Sequence, residues 1–322
     1  MSFRFTVPGN LLLAGEYALL EQGGLGAAVA VEPRLTVTVT PQEDWELVGR
    51  WPGTVERWTP EAPATFAGTL FLAATDLLTR RGDERERRWS RALPCARIEL
   101  DSSAFFDGQG RKRGFGSSAA IAVGLAVALA RLQEREDPLS IHQVAVAAHR
   151  VAQGGSGSGY DVTASYFGGF GLFTGGETPR WSPLDPEVLP WMAVFAGPKV
   201  VKTTRSIDLY RAWQASDRAA AGEFVERSNA AVLSLSQTRA TTSLFEAWSV
   251  CRELGLALGD AIGSSARLEV PAELPPESAG VFYKALGAGN ETGLAASVHG
   301  PFEPLPAGLE ELRLSPLGVV WE

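Results

Sequence analysis

The stretch Gly114-Phe115-Gly116-Ser117-Ser118-Ala119-Ala120, running into the apolar segment Ile121 to Ala130, constrains this chain more than any other. Two glycines allow a tight turn and a close backbone approach to a ligand. The serines and alanines that follow open a helix. Its first turn has N–H groups without partners, and the helix dipole places partial positive charge there. A polyphosphate suits such a place, because the backbone donates and no side chain blocks the approach. We read Gly114, Phe115, Gly116, Ser117, Ser118 and Ala119 as a phosphate cradle, with one of the two hydroxyls able to ligate a metal ion. An ordinary Ser-capped buried helix is the plain alternative. A dinucleotide fingerprint needs a hydrophobic strand immediately upstream. Here the polar loop Gly108 to Arg113 precedes, which leaves a Rossmann oxidoreductase only a remote option, and no G-x-x-x-x-G-K-[ST] stretch exists, so a P-loop enzyme is out.

A length of 322 residues allows one to two domains with a real core. The net charge of −8 argues against nucleic acid as a partner, so an anionic ligand must be held by a local basic cluster. Only Cys95 and Cys251 are present, which excludes a disulfide framework or a cysteine metal site; both are expected to be buried and inert. No apolar run approaches the roughly 18 residues of a membrane span. Met1 to Pro8 lacks the apolar core of a signal peptide. The expectation is a cytoplasmic protein with no membrane partner.

The first third reads as strands with turns: Phe3 to Val7, a turn at Pro8-Gly9, a resumption from Asn10 to Leu13, and the alternating Leu35 to Thr40. Phe66 to Arg81 has helical spacing, Ala96 to Leu100 is a short strand, and Ile141 to Gln153 is a second helix. Gly154 to Gly159 cannot be helical. Phe167 to Phe173 is a glycine-rich strand region. The proline-marked stretch Pro179 to Pro190 reads as a connector, which divides the chain into residues 1–188 and 189–322. Beyond it come strand Trp191 to Ala196, helices near Arg205 to Ala215, Asp217 to Ser236 and Thr241 to Ile262, and two strands flanking Gly287-Ala288-Gly289. The closing stretch Leu312 to Val320 is a further strand candidate.

Three other stretches carry chemistry. In Pro8 to Tyr17, the carboxylate of Glu16 and the hydroxyl of Tyr17 stand at a glycine turn, and functional and structural readings balance. In Ser156-Gly157-Ser158-Gly159-Tyr160-Asp161, a flexible loop puts a carboxylate beside hydroxyls and open N–H groups, a way to hold a catalytic group near phosphate. Its rival is an Asp that caps the following segment. Lys199 to Arg205 is a basic, hydroxyl-bearing loop or a solvated helix start. His142 and His149 read as packing residues rather than metal ligands.

Pro8 to Tyr17, Gly114 to Ala120 and Gly287 to Gly293, in this order, resemble the three motifs of the GHMP kinases. Within that family the chain is most similar to the branch acting on phosphomevalonate, through Gly15-Glu16-Tyr17 and through Ala148 to Gly154 with Gly157-Ser158-Gly159-Tyr160-Asp161-Val162. The resemblance implies an α+β, two-domain fold: an N-terminal domain of the ribosomal protein S5 domain 2-like type and a C-terminal ferredoxin-like domain. It implies an ATP- and Mg²⁺-dependent kinase that turns phosphomevalonate into mevalonate diphosphate for isoprenoid synthesis, as a monomer or homodimer. A mevalonate or sugar kinase, and a non-catalytic nucleotide binder, are the alternatives. Two departures stand out: Asn10 where the family carries a Lys, and Asn290-Glu291 where the third motif continues in glycine. His149 falls about where mevalonate kinases place a Mg²⁺-binding Glu, leaving Ser118 as the metal ligand.

On this reading Asp161, Asn10 and Ser117 are the catalytic set. Glu16, Tyr17, Lys112, Arg113, Ser156, Gly157, Ser158, Lys202, Arg205 and Gly289 bind the acceptor. An alcohol acceptor benefits from a general base. A phosphomonoester has its second pKa near about 6 and is already a nucleophile, so Asp161 would orient it instead. The extra negative charge of such an acceptor favours Lys112, Arg113, Lys202 and Arg205 as its ligands.

Overall fold

A computed structural model describes residues 1–59, 65–80, 93–155, 157–197, 203–287 and 292–322. Ser156, Lys202 and Gly289, with Lys199 to Val201 and Asn290-Glu291, lie outside the described residues. So does most of the charged stretch between Arg80 and Arg91. The chain parts into two compact units, Met1–Asn10 with Ala30–Gly168 and Ser315–Glu322, and Leu11–Val29 with Gly169–Leu314. Each unit draws on separate stretches of sequence, and the division at 188/189 stays a proposal about the sequence alone.

The first unit is built from strands β1 (Phe3–Ala14), β2 (Leu25–Pro41), β3 (Glu46–Trp51) and β4 (Thr54–Trp58), helix α1 (Phe66–Arg80), strand β5 (Ala96–Asp101), and helices α2 (Ser117–Leu132), α3 (Pro138–Ala152) and α4 (Tyr160–Phe167). The strands β1 and β2 begin or end in the other unit. The second unit continues with β6 (Phe170–Thr174), β7 (Arg180–Leu184), β8 (Trp191–Ala196), α5 (Thr203–Ser216), α6 (Arg218–Gln237), α7 (Thr241–Ile262), β9 (Val281–Leu286), β10 (Thr292–Ser297) and β11 (Glu310–Glu311). A final strand, β12 (Val320–Trp321), returns to the first unit.

In the first unit the strand order is β12-β1-β2-β5-β3-β4, with β3 and β5 parallel. The alternation of Leu35 to Thr40 works as its pattern predicts: Leu35, Val37 and Val39 are fully buried. Helix α2 is apolar on every side and buried at Ala119, Ala120 and from Ala122 to Ala130, as a helix must be when elements cover it all round. It packs on α1, α3 and α4. Gly124 lets it approach β2 closely, since a Cβ there would lie 2.9 Å from Val37 and 3.0 Å from Leu35.

Three sequence expectations need correction. Pro8-Gly9 makes no turn, because β1 runs unbroken from Phe3 to Ala14. Gly9 is needed for close approach instead: a Cβ there would stand 2.5 Å from the Phe115 carbonyl oxygen. The Pro179–Pro190 connector contains β7, which pairs antiparallel with β6. Pro183 is tolerated there because this is an edge strand, and the Trp181 ring covers Gly171, where a Cβ would come within 2.3 Å of it. Leu312 to Val320 adds no long strand. The Arg34 guanidinium donates to the Ser315 hydroxyl (2.6 Å) and to the carbonyls of Leu317 (3.2 Å) and Gly318, so those groups find a side chain instead of a ladder.

In the second unit β8 to β11 form a four-stranded sheet in the order β11-β8-β10-β9, antiparallel throughout. Helices α5, α6 and α7 pack on one another, and α7 also packs on β9. Residues 25–29 of β2 pair with β6 within this unit.

Candidate active site

The cradle predicted at Gly114 to Ala119 is a left-handed turn into a helix. Gly114 (φ 80°) and Gly116 (φ 70°) occupy the region that favours glycine. Gly116 is the N-cap of α2, and no side chain caps that end. Phe115 is buried (1 % exposed) and anchors the turn. Ser117 and Ser118 are half-buried, the next two positions of the helix. The end of α2 thus offers N–H groups, two hydroxyls and the positive pole of a dipole to an anion.

Asn10 lies beneath this turn and is 2 % exposed. Its backbone N–H donates to the Phe115 carbonyl (3.0 Å). Its side-chain amide donates to the hydroxyl of Ser165 (3.0 Å), itself fully buried on α4. A Cβ on Gly116 would lie 2.2 Å from the Asn10 amide nitrogen. Strand β1, the glycine turn and α4 therefore meet at one buried amide. Sequence reasoning placed Asn10 near transferred charge; its partner Ser165 was missed, because no pattern links positions 155 residues apart.

Asp161 stands in the first turn of α4, whose N-cap Gly159 is left-handed (φ 85°) and which no side chain caps. One carboxylate oxygen accepts from the Val162 N–H (2.9 Å), and the other lies 3.7 Å from Nδ1 of the buried His149. The Asp is therefore not an N-cap. Arg150 fastens the loop before it, donating to the carbonyls of Gly157 (3.1 Å) and Ser158 (2.7 Å). The Ser158 hydroxyl accepts from the Tyr160 N–H (3.3 Å). The other histidine, His142, is bonded to Thr163 (2.9 Å), and burial pushes its pKa down to about 4.

Of the basic residues, Lys112 is exposed. Arg113 is already engaged, donating to the Ala104 carbonyl (3.1 Å) with its guanidinium 5.0 Å over the Phe115 ring. Burial lowers its pKa. In the second unit Arg205 is exposed on the first turn of α5.

Also in the second unit, Glu16 forms an ion pair with Lys284, whose side chain is 3 % exposed and also donates to the Ala285 carbonyl (2.9 Å). Lys284 escaped sequence reasoning; its one signal is a lysine within the apolar strand Val281 to Leu286. Tyr17 has a left-handed backbone (φ 64°). Burial raises its pKa, opposed by hydrogen bonds to Ser206 and Ser264. Glu16, Tyr17, Ser264 and Lys284 line a cavity of about 30 Å³ together with Cys251, enough for a water or two. Burial pushes the Cys251 thiol up to about 12, which fits the inert role expected of it. Cys95, expected to be buried, is half-buried.

Among the described residues no group of three or more His, Cys, Asp or Glu is arranged to hold a metal ion. A hard cation here would draw its ligands from Ser118, a bound phosphate and water.

Residues 73–169 match the family model described as GHMP kinases N terminal domain. A phosphomevalonate kinase of Saccharolobus solfataricus is 26% identical over 167 residues, 51% of this chain and 47% of that protein. The chain thus spans about half the length of the curated relative it matches. Among solved structures, a Lin0012 protein from Listeria innocua superposes with TM-score 0.79 at 21% identity, covering 100% of this chain and 99% of the other. The phosphomevalonate kinase of Streptococcus pneumoniae, in complex with phosphomevalonate and AMPPNP, superposes with TM-score 0.68 at 16% identity, covering 92% of each chain. Residues 73–169 thus match the N-terminal domain of the GHMP kinases, and the chain takes the fold of these solved structures.

Proposed function

We propose that this protein transfers the γ-phosphoryl group of ATP to the phosphate of phosphomevalonate, giving mevalonate diphosphate and ADP. The observation that carries the kinase reading is the uncapped N-terminus of α2 behind the left-handed Gly116. Phosphoryl transfer asks chiefly for positioning and charge neutralisation, and that helix end supplies both. The backbone of Gly114 to Ser118 holds the triphosphate, and the Ser117 hydroxyl bonds a phosphate oxygen. Ser118 would be among the ligands of a bound Mg²⁺, which would supply neutralisation of the phosphate charge.

An oxygen of the acceptor phosphate attacks the γ-phosphorus as the bond to the β–γ bridging oxygen breaks. That oxygen is ionised at neutral pH, so Asp161 orients the acceptor and takes no proton from it. Lys112, Lys202 and Arg205 carry the charge that a phosphorylated acceptor needs. The likeness in sequence to a phosphomevalonate kinase supports this acceptor. The test is ADP release from Mg-ATP with phosphomevalonate, mevalonate, mevalonate diphosphate and galactose offered side by side. Turnover on phosphomevalonate alone is expected. ADP release only with mevalonate or galactose overturns the acceptor and keeps the kinase; no turnover despite ATP binding favours a non-catalytic binder.

A further inference from the structure

Asp161 has a neighbour that the proposed chemistry leaves unused. His149 is 1 % exposed, yet its ring is not closed in by carbon alone. Nδ1 faces the outer carboxylate oxygen of Asp161 at 3.7 Å, and Nε2 lies 3.3 Å from the side-chain nitrogen of Gln153. Gln153 stands four residues on from His149, where helical geometry brings side chains together. An amide nitrogen only donates, so Nε2 must accept, and the ring proton is left on Nδ1, aimed at Asp161. Phe66 meets the ring edge-on at 6.0 Å and limits its rotation.

The glycine loop takes part as well. A Cβ on Gly157 would stand 2.6 Å from the Gln153 amide oxygen, and Gly157 has φ 112°. Only glycine lets Gln153 lie where it does. A line of contacts thus runs from Gly157 through Gln153 and His149 to Asp161, all in the first unit.

We infer that His149 is a positioning residue: it holds the Asp161 carboxylate in the orientation that faces the acceptor, with its tautomer set by Gln153. The gap of 3.7 Å exceeds a hydrogen bond. Such contacts commonly tighten when substrate binds. The inference rests on the proposed role of Asp161, and two kinds of measurement separate the two ideas.

The first needs no turnover. The chain has three histidines, so ¹⁵N-histidine NMR, with His149→Leu to assign the signal, reads the tautomer directly. The expected result is a proton on Nδ1 of His149, a signal displaced by Asp161→Ala, and a mixed tautomer in Gln153→Leu. A proton on Nε2, or a signal indifferent to Asp161→Ala, overturns the inference. The second is steady-state kinetics. His149→Leu is expected to lower kcat roughly ten- to a hundred-fold with KM for ATP unchanged. His149→Asn, whose amide nitrogen takes the place of Nδ1, is expected to recover most of that loss. A loss confined to KM, or an Asn variant no better than Leu, counts against positioning. Should the unaltered protein turn over no acceptor while the NMR behaves as expected, the proposed function fails and the His149–Asp161 pairing stands.

Discussion

Gly116 shows how much can depend on one missing side chain. Its left-handed backbone would cost an L-residue about 1–2 kcal/mol. A methyl group would also push into the Asn10 amide, which cannot retreat without losing Ser165. Gly116→Ala is therefore expected to loosen the cradle and weaken nucleotide binding about tenfold or more, the equivalent of one good hydrogen bond; the Kd for AMPPNP from isothermal titration checks it. Lys284 makes the opposite case, a charge that is present and buried. Lys284→Met leaves Glu16 without its cation, which should cost about 3–5 kcal/mol in denaturant unfolding. Adding Glu16→Gln should return much of that loss, and a double variant no more stable than the single one would show that the pair is not the source. The glycines of the cradle were legible in sequence because their conformational need is local. The Glu16–Lys284 pair was not, because its partners lie 268 residues apart and nothing but the fold brings them together.

At the scale of elements, the helices and most strands follow from periodicity, and α7 begins and ends at Thr241 and Ile262 as its pattern predicts. What misled was proline. Pro8 and Pro183 both read as breaks and both sit in strands, one followed by a glycine that a neighbouring backbone presses on and one at a sheet edge. The packing of α3 on α4 has a consequence for pH. His142 on α3 is buried against Thr163 of α4, with its pKa lowered from 6.5 to about 4. Below pH 6.5 the unfolded chain takes up a proton that the folded one refuses. Stability should accordingly be level above that pH, fall by about 3 kcal/mol on the way down to pH 4, and level off again. Urea unfolding across this range measures it, and His142→Gln, which keeps a hydrogen-bonding side chain without the titration, should flatten that part of the curve. An unchanged slope would assign the acid sensitivity to other groups.

For the molecule as a whole, the acidic balance and the basic residues tell a consistent story. A net charge of −8 gives no general attraction for anions, so the proposed polyphosphate ligand would have to be held locally, at a helix end and by a few cations. Among the described residues no helix is long and apolar enough to cross a membrane. The fold was legible because three glycine-rich motifs recur in a fixed order along the chain. The left-handed turn at Gly114 to Gly116 was legible from its glycines, whereas the contact of Asn10 with Ser165 in the first unit and that of Glu16 with Lys284 in the second were not, because their partners are distant in sequence. The central claim is that a phosphate accepts the phosphoryl group. The most direct measurement is ³¹P NMR of the protein with Mg-ATP and phosphomevalonate. The account predicts that the phosphomonoester signal of the acceptor gives way to the paired resonances of a diphosphate as ADP appears. An acceptor phosphate unchanged while ATP is consumed, or a new phosphomonoester formed only when mevalonate is supplied, would contradict it.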